Sequence, residues 1–345
     1  MDSTEDLENI NLLFEYQYGS LISKIMFTAC ELGIFDLLLK SAGPLTSATI
    51  AECLGTSPSK LERVLEACVG LKLLRMERKD NIAHYGNTDI SNLYLAESSP
   101  KSQYHYMMHW SGVTLLNLNH LTDAVREGKN QLEKSLDNPS KDIFEALYRS
   151  EEGMKKFLNT MNSAWCLHDT DVIAAHDLSH FPLICDIGGG GGALAKKCVS
   201  LYPSSTVTIL DLPKVVEIVK KHFVSSEEHR ITFHEGDFFK DPIPEADLYL
   251  LARILHDWDD EKCVQLLTKL HKACRPGGGV LVAETVLNED RSGPLVSHLN
   301  SILMLLHTEG KERTASEYNV LLNAAGFKEI QLKKGRVYSA ILGRK

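Results

Sequence analysis

Residues 183–196 read LICDIGGGGGALAK. A short apolar run ends in an acidic residue, five glycines follow, and an Ala/Leu/Lys segment resumes with helical character. Glycine at 188, 190 and 192 permits a tight turn and lets backbone N–H groups come close to a ligand. A plain loop could be built the same way. Its place directly after an apolar strand is what favours a ligand-binding turn, and with it an open α/β sheet.

Working outward, the same strand and helix alternation repeats. TVTILD (206–211), ITFHEGD (231–237), ADLYLLARIL (246–255) and GGGVLVAETVL (277–287) read as strands. ALAKKCVSLY, KVVEIVKKHF and DDEKCVQLLTKLHKAC read as the helices between them. Continuous rather than alternating apolar strands indicate a sheet covered on both faces, and the alternation makes it parallel. Residues 288–313 contain no good strand. TASEYNVLLNAAGF then carries a capping box, Thr314 with Glu317, and a stop at Gly326. EIQLKKG and RVYSAILGRK close the sheet as an antiparallel hairpin. Such an ending is unlike the second half of a dinucleotide dehydrogenase and argues against NAD.

The glycine turn has the spacing D-x-G-x-G-x-G, whereas a pyrophosphate site prefers G-x-G-x-x-G. Asp186 beside the turn suits a cofactor with an ammonium and a sulfonium charge, although it could equally cap the turn. Asp211, ending the second strand, can accept hydrogen bonds from both ribose hydroxyls of an adenosine, a feature that by itself fits NAD equally. Gly236, Asp237 and Phe238 close the third strand, where the carboxylate could accept an adenine amino group and the ring pack beside it; a turn cap is the plainer alternative for Asp237. Arg253 lies inside the fourth strand, where a guanidinium needs a partner. His256 follows that strand, at the edge where open α/β sheets bind ligands. A phenol-like hydroxyl ionises near ~10, and imidazole, near ~6.5, is the matched general base. Asp257 is read as a cap for the next helix. Glu284, at the end of the fifth strand, and Glu312, in EGKERT, are the carboxylates placed to orient the imidazole; a surface charge is the alternative for Glu312.

At 345 residues two domains are expected. The boundaries are read as a helical, winged-helix-like part at 1–100, a helical connector lining an acceptor pocket at 101–180, and the cofactor domain at 181–345. Helix–turn–helix plus hairpin is also the shape of a DNA-binding module. Residues 44–90, however, hold six Lys/Arg and six Asp/Glu, and the whole chain carries a net charge of -9. Neither nucleic acid nor a membrane surface is expected as partner. The wide apolar face of residues 12–39 suits either the cofactor domain or a second subunit. Eight scattered cysteines without a CxxC pair, and no secretory leader pattern, suggest a reduced cytoplasmic protein; no metal site is expected.

Taken together, DIGGGGGALAK, EGDFF, ARILHDWDDEKC and GKERTASEY resemble the S-adenosylmethionine-dependent small-molecule O-methyltransferases that include plant caffeate and flavonoid enzymes. The resemblance covers essentially the whole chain. CELGIFDLL, HLTDAVREGKNQ and LYRSEEGMKKF are similar to its vertebrate hydroxyindole-methylating branch. It implies a Rossmann-like methyltransferase sheet, S-adenosylmethionine as cofactor with S-adenosylhomocysteine as product, a small hydroxyindole acceptor, and a homodimer formed through the N-terminal domain. It further implies donor contacts from Asp211, Asp237 and neighbours, Arg253, Tyr148 and Trp165. His256 matches the general base, Glu284 and Glu312 its flanking carboxylates, and Asp257 an acceptor contact. Leu303 stands where the family commonly has Asn, and His307 where the hydroxyindole branch has Gln. Another phenol or catechol as acceptor, or a winged-helix regulatory protein retaining a cofactor fold, are the alternatives.

Overall fold

The computed structural model describes residues 4–135 and 143–345. The chain divides into two compact units, Met1–Gly112 and Val113–Lys345.

In the first unit a long helix, Thr4–Glu31, is followed by Ile34–Lys40, Ser47–Leu54 and Pro58–Gly70. The Thr46 hydroxyl caps the third helix by accepting from Thr49 N, and Pro58 opens the fourth, where a missing N–H does no harm. Strands β1 (Leu45–Thr46), β2 (Leu74–Lys79) and β3 (Ile82–Asn87) form an antiparallel sheet in the order β1-β3-β2. This is the helix–turn–helix and wing expected from the sequence. Its core is closed by Ile34, Phe35, Ile50, Leu65 and Tyr85. The long helix joins that core in its last two turns, through Ile25, Met26, Ala29 and Cys30. Its earlier turns expose Leu7, Leu13, Phe14, Tyr16 and Leu21, each more than half accessible.

The second unit is built on seven strands: β4 (Leu183–Ile187), β5 (Thr206–Asp211), β6 (Ile231–Glu235), β7 (Ala246–Ala252), β8 (Cys274–Glu284), β11 (Lys328–Lys333) and β12 (Ser339–Arg344). Their order is β11-β12-β8-β7-β4-β5-β6. The five strands from β8 to β6 are mutually parallel, and β12 lies antiparallel between β8 and β11. The mostly parallel sheet with a terminal antiparallel hairpin is therefore present. Two apolar cores cover its faces, one including Leu158, Val199 and Val219, the other Leu266, Leu270 and Leu322. Strand order reverses at β4, which has β5 on one side and β7 on the other. A crevice opens at the C-terminal ends of strands flanking such a reversal. The glycine turn leaves β4 there, and Arg253 and His256 leave β7.

Several sequence readings are corrected. β7 ends at Ala252, so Arg253 is not inside the strand; it leaves it with φ 57. β6 ends at Glu235, which puts Gly236, Asp237 and Phe238 in the turn beyond. β8 starts three residues earlier than read, at Cys274. The helix after His256 is capped by Asp259, which accepts from Lys262 N, and not by Asp257, which is buried. The stretch 288–313 contains the helix Leu295–His307 and ends in a strand residue: β9 (Val286–Leu287) pairs in parallel with β10 (Arg313–Thr314). That two-residue bridge lay outside the sequence pattern and has a large effect, because it brings the segments carrying Glu284 and Glu312 side by side. The capping box Thr314/Glu317 is formed as expected.

Candidate active site

His256 lies in a single 3-10 turn, Leu255–Asp257, between β7 and its helix. Glu284 fixes that turn from below. Its Oε1 accepts from the backbone N–H of Ile254 at 3.0 Å, Leu255 at 2.9 Å and His256 at 3.4 Å. Sheet pairing puts it there, since Ala252 lies opposite Ala283. Glu312 approaches from the β10 side, with Oε1 2.8 Å from His256 Nδ1. The second Glu284 oxygen is 3.5 Å from the same nitrogen. All three residues are buried. A carboxylate can only accept, so Nδ1 carries the proton and the neutral ring keeps its acceptor lone pair on Nε2. Nε2 faces Asp257, whose Oδ1 is 3.6 Å away.

Burial alone would press the imidazole down, but the charges of Glu284, Glu312 and Asp257 and the hydrogen bond to Glu312 hold it above its ordinary value, at about 9. Burial pushes Glu284 up to about 7, against the pull of His256. One oxygen each of Glu284 and Glu312 makes no hydrogen bond although buried. The arrangement therefore favours a positive charge on the ring. Nδ1 and the two carboxylates also lie within 4.8 Å of one another, the one His/Cys/Asp/Glu grouping of that spacing among the described residues.

Two residues that hold this turn had no signal in the sequence. Arg313 is fully buried. It donates to the carbonyls of Leu255 at 2.9 Å and Trp258 at 2.8 Å, which bracket His256, and pairs with Asp260 at 2.7 Å. Gly310 packs so closely that a Cβ there would strike the His256 carbonyl and the Asp257–Trp258 peptide. Both lie in EGKERT, where sequence reasoning weighed only Glu312.

On the donor side, Gly188, Gly190 and Gly192 all have positive φ, as the turn required. Asp211 crosses beneath them: Oδ2 accepts from Gly190 N at 2.9 Å and Oδ1 from Leu212 N at 2.8 Å. Burial raises Asp211 to about 6 despite those bonds. Burial, with the charge of Asp211 added, raises Asp186 to about 7. Asp186 Oδ2 is buried and has no hydrogen-bond partner. Two dry carboxylates beside a ring of small, positive-φ glycines are matched to a ligand with cationic and hydroxyl groups, and poorly matched to a pyrophosphate. The residues present thus fit S-adenosylmethionine. Asp237 is engaged in its turn, accepting from Phe239 N at 2.9 Å and pairing with Lys240 at 2.9 Å. Lys269 holds the same turn by donating to the carbonyls of Phe238, Phe239 and Asp241. Tyr148 packs edge-on against Phe157 at 5.9 Å, and Trp165 packs at a tilt against Tyr338 at 4.8 Å. Leu303 and His307, one turn apart on the helix Leu295–His307, are half-buried.

Residues 118–328 match the O-methyltransferase domain family and residues 14–97 the O-methyltransferase dimerisation domain. Over the full length of both chains the protein is 61% identical to acetylserotonin O-methyltransferase of Gallus gallus. The chain belongs to the acetylserotonin O-methyltransferase family. Another of its relatives, the human enzyme, is 48% identical over 100% of both chains. A crystal structure of human N-acetylserotonin methyltransferase in complex with SAM superposes with a TM-score of 0.96, covering 100% of this chain and 99% of that one. Membership of the acetylserotonin O-methyltransferase family makes this protein an O-methyltransferase and confirms the expected family and architecture. Among the described residues no helix is long and apolar enough to cross a membrane.

Proposed function

We propose that the protein transfers the methyl group of S-adenosylmethionine to the 5-hydroxyl of N-acetylserotonin, giving melatonin and S-adenosylhomocysteine. The full-length relatives of that name support the acceptor. The observation that carries the chemistry is the buried His256–Glu312 contact of 2.8 Å at the exit of β7.

When bound, S-adenosylmethionine supplies a methyl group already made electrophilic by its sulfonium. Asp211 would hold the ribose hydroxyls, Asp237 and Phe238 the adenine, and Arg253 the carboxylate of the amino-acid end; Gly188, Gly190 and Gly236 would leave room for close approach, and Tyr148 and Trp165 would wall the site. Asp257, Leu303 and His307 contact the acceptor. His256 Nε2 takes the hydroxyl proton, and Glu312 and Glu284 stabilise the imidazolium that results. Alignment of acceptor and methyl group provides much of the remaining acceleration.

The N-terminal unit forms a homodimer through the apolar face of Thr4–Glu31, which exposes Leu13 and Tyr16 by 66% and 70%. A patch of that kind on a charge-balanced module suits another protein surface and not DNA. Leu13→Asp together with Tyr16→Asp should halve the mass measured by light scattering. The eight cysteines are all free, which supports a cytoplasmic setting.

A mass-spectrometric product screen with labelled methyl donor across hydroxyindoles, phenols and catechols tests the acceptor. Preferred labelling of N-acetylserotonin is the expected result. Labelling of catechols with N-acetylserotonin untouched would overturn the acceptor and keep the enzyme class.

A further inference from the structure

Arg253 leaves β7 in the left-handed region, φ 57, which residues with a Cβ rarely adopt. Strain of this kind persists only where the surroundings over-determine it, and it gathers at ligand clamps. Its N–H is held by the Ala283 carbonyl at 3.0 Å. Its side chain is held by a residue outside the parallel sheet: Nη1 donates to the Tyr338 hydroxyl at 3.1 Å, and the guanidinium carbon lies 6.0 Å from the centre of that ring.

Tyr338 is itself fixed from three directions. It immediately precedes β12, whose Ser339 lies opposite Glu284. Its ring, 8% exposed, packs at a tilt of 40° against Trp165 with centroids 4.8 Å apart. The ring of His168 meets it edge-on at 5.3 Å. A phenol locked in this way can hold one of the five N–H donors of a guanidinium and so fix the plane of the fork.

We propose that Tyr338 is a positioning residue that aims Arg253 at the carboxylate of the methyl donor's amino-acid end. This rests on the reading of Arg253 as a donor ligand given above. S-adenosylmethionine has a single carboxylate, and the planar guanidinium is the side chain best shaped to receive one. Arg253 held by the tyrosine meets it with less rotational freedom left to lose. The terminal hairpin thereby contributes to the donor site as well as closing the sheet.

The test compares two ligands by titration calorimetry on the full-length protein: S-adenosylhomocysteine, which has the amino-acid end, and 5′-methylthioadenosine, which lacks it. Tyr338→Phe keeps the packed ring and removes the hydroxyl. It should weaken S-adenosylhomocysteine by about threefold to tenfold, the net worth of one ordinary hydrogen bond acting through Arg253, with methylthioadenosine unchanged. Arg253→Met should weaken S-adenosylhomocysteine more, and Tyr338→Phe should add nothing in that background. If Arg253→Met discriminates between the ligands and Tyr338→Phe does not, the positioning role is overturned while the reading of Arg253 stands. If Tyr338→Phe weakens both ligands alike, the tyrosine is only part of the wall and the proposal falls. If Arg253→Met leaves the ratio of affinities unchanged, the reading of Arg253 fails and the proposal with it.

Discussion

His256 Nδ1 and Glu312 Oε1 stand 2.8 Å apart in a buried site, a contact in which the ring donates from Nδ1 to an ionised carboxylate. With the proton committed to Nδ1, the acceptor oxygen has to be met by Nε2. His256→Ala should lower the methylation rate by about 10²–10⁴, the usual range for losing a general base, and leave S-adenosylhomocysteine affinity near wild type. Near-normal turnover in that variant would show that the base lies elsewhere.

The pH profile follows from the three surrounding carboxylates. With the imidazole at about 9, the proton-accepting ring accumulates as pH rises, so kcat/KM for the acceptor should climb between pH 7 and 9 and then level off. Glu312→Gln and Glu284→Gln each remove negative charge and should move the rising limb to lower pH while reducing the plateau. The same raised value makes protonated His256 a stabilising group below about pH 6.5, with that contribution fading as pH climbs through about 9. A limb that stays in place in both variants would separate the titration from His256.

Asp186 and Asp211 predict proton release on donor binding. Burial leaves them at about 7 and about 6, so both are partly protonated near pH 6.5. An ammonium near Asp186 and ribose hydroxyls donating to Asp211 both favour the carboxylate forms and drive protons off. Calorimetry of S-adenosylhomocysteine binding in two buffers of different ionisation enthalpy should register that release, and Asp211→Asn should diminish it. Proton uptake would be incompatible with a cationic group seated beside these acids.

Gly310 and Arg313 should behave as supports of the His256 turn. Gly310→Ala forces a methyl group into backbone that has little room to move, a clash worth about 1–3 kcal/mol. Arg313→Lys carries its donors on one nitrogen and loses the planar fork that reaches Asp260 and the Leu255 and Trp258 carbonyls from three separate nitrogens. Both variants should lower the thermal midpoint and kcat, and shift KM for the donor far less. Unaltered kcat in a folded Arg313→Lys protein would remove Arg313 from that role.

The sheet was readable because strands buried on both faces are written as continuous apolar runs, and the capping box because it is confined to four neighbouring residues. His256 and Glu284 were readable for a related reason: a polar residue at the end of an apolar strand asks for an explanation. DWDD offered three aspartates as helix cap, and local rules could not choose Asp259, since the choice depends on a 3-10 turn that buries Asp257. The left-handed Arg253, the buried Arg313, Gly310 and Tyr338 depend for their meaning on neighbours 30 or more positions away in the chain. The bridge between β9 and β10 is only two residues long, too short to leave a periodic trace.

The placing of β12 between β8 and β11 has a consequence for biosynthesis. Residues 339–344 are translated after the rest of the sheet, yet they fill an inner position. A nascent chain emerging from the ribosome therefore carries β8 with an open edge until this segment is out of the exit tunnel, and an unpaired apolar edge invites aggregation. Chaperone occupancy during synthesis should be highest in that interval.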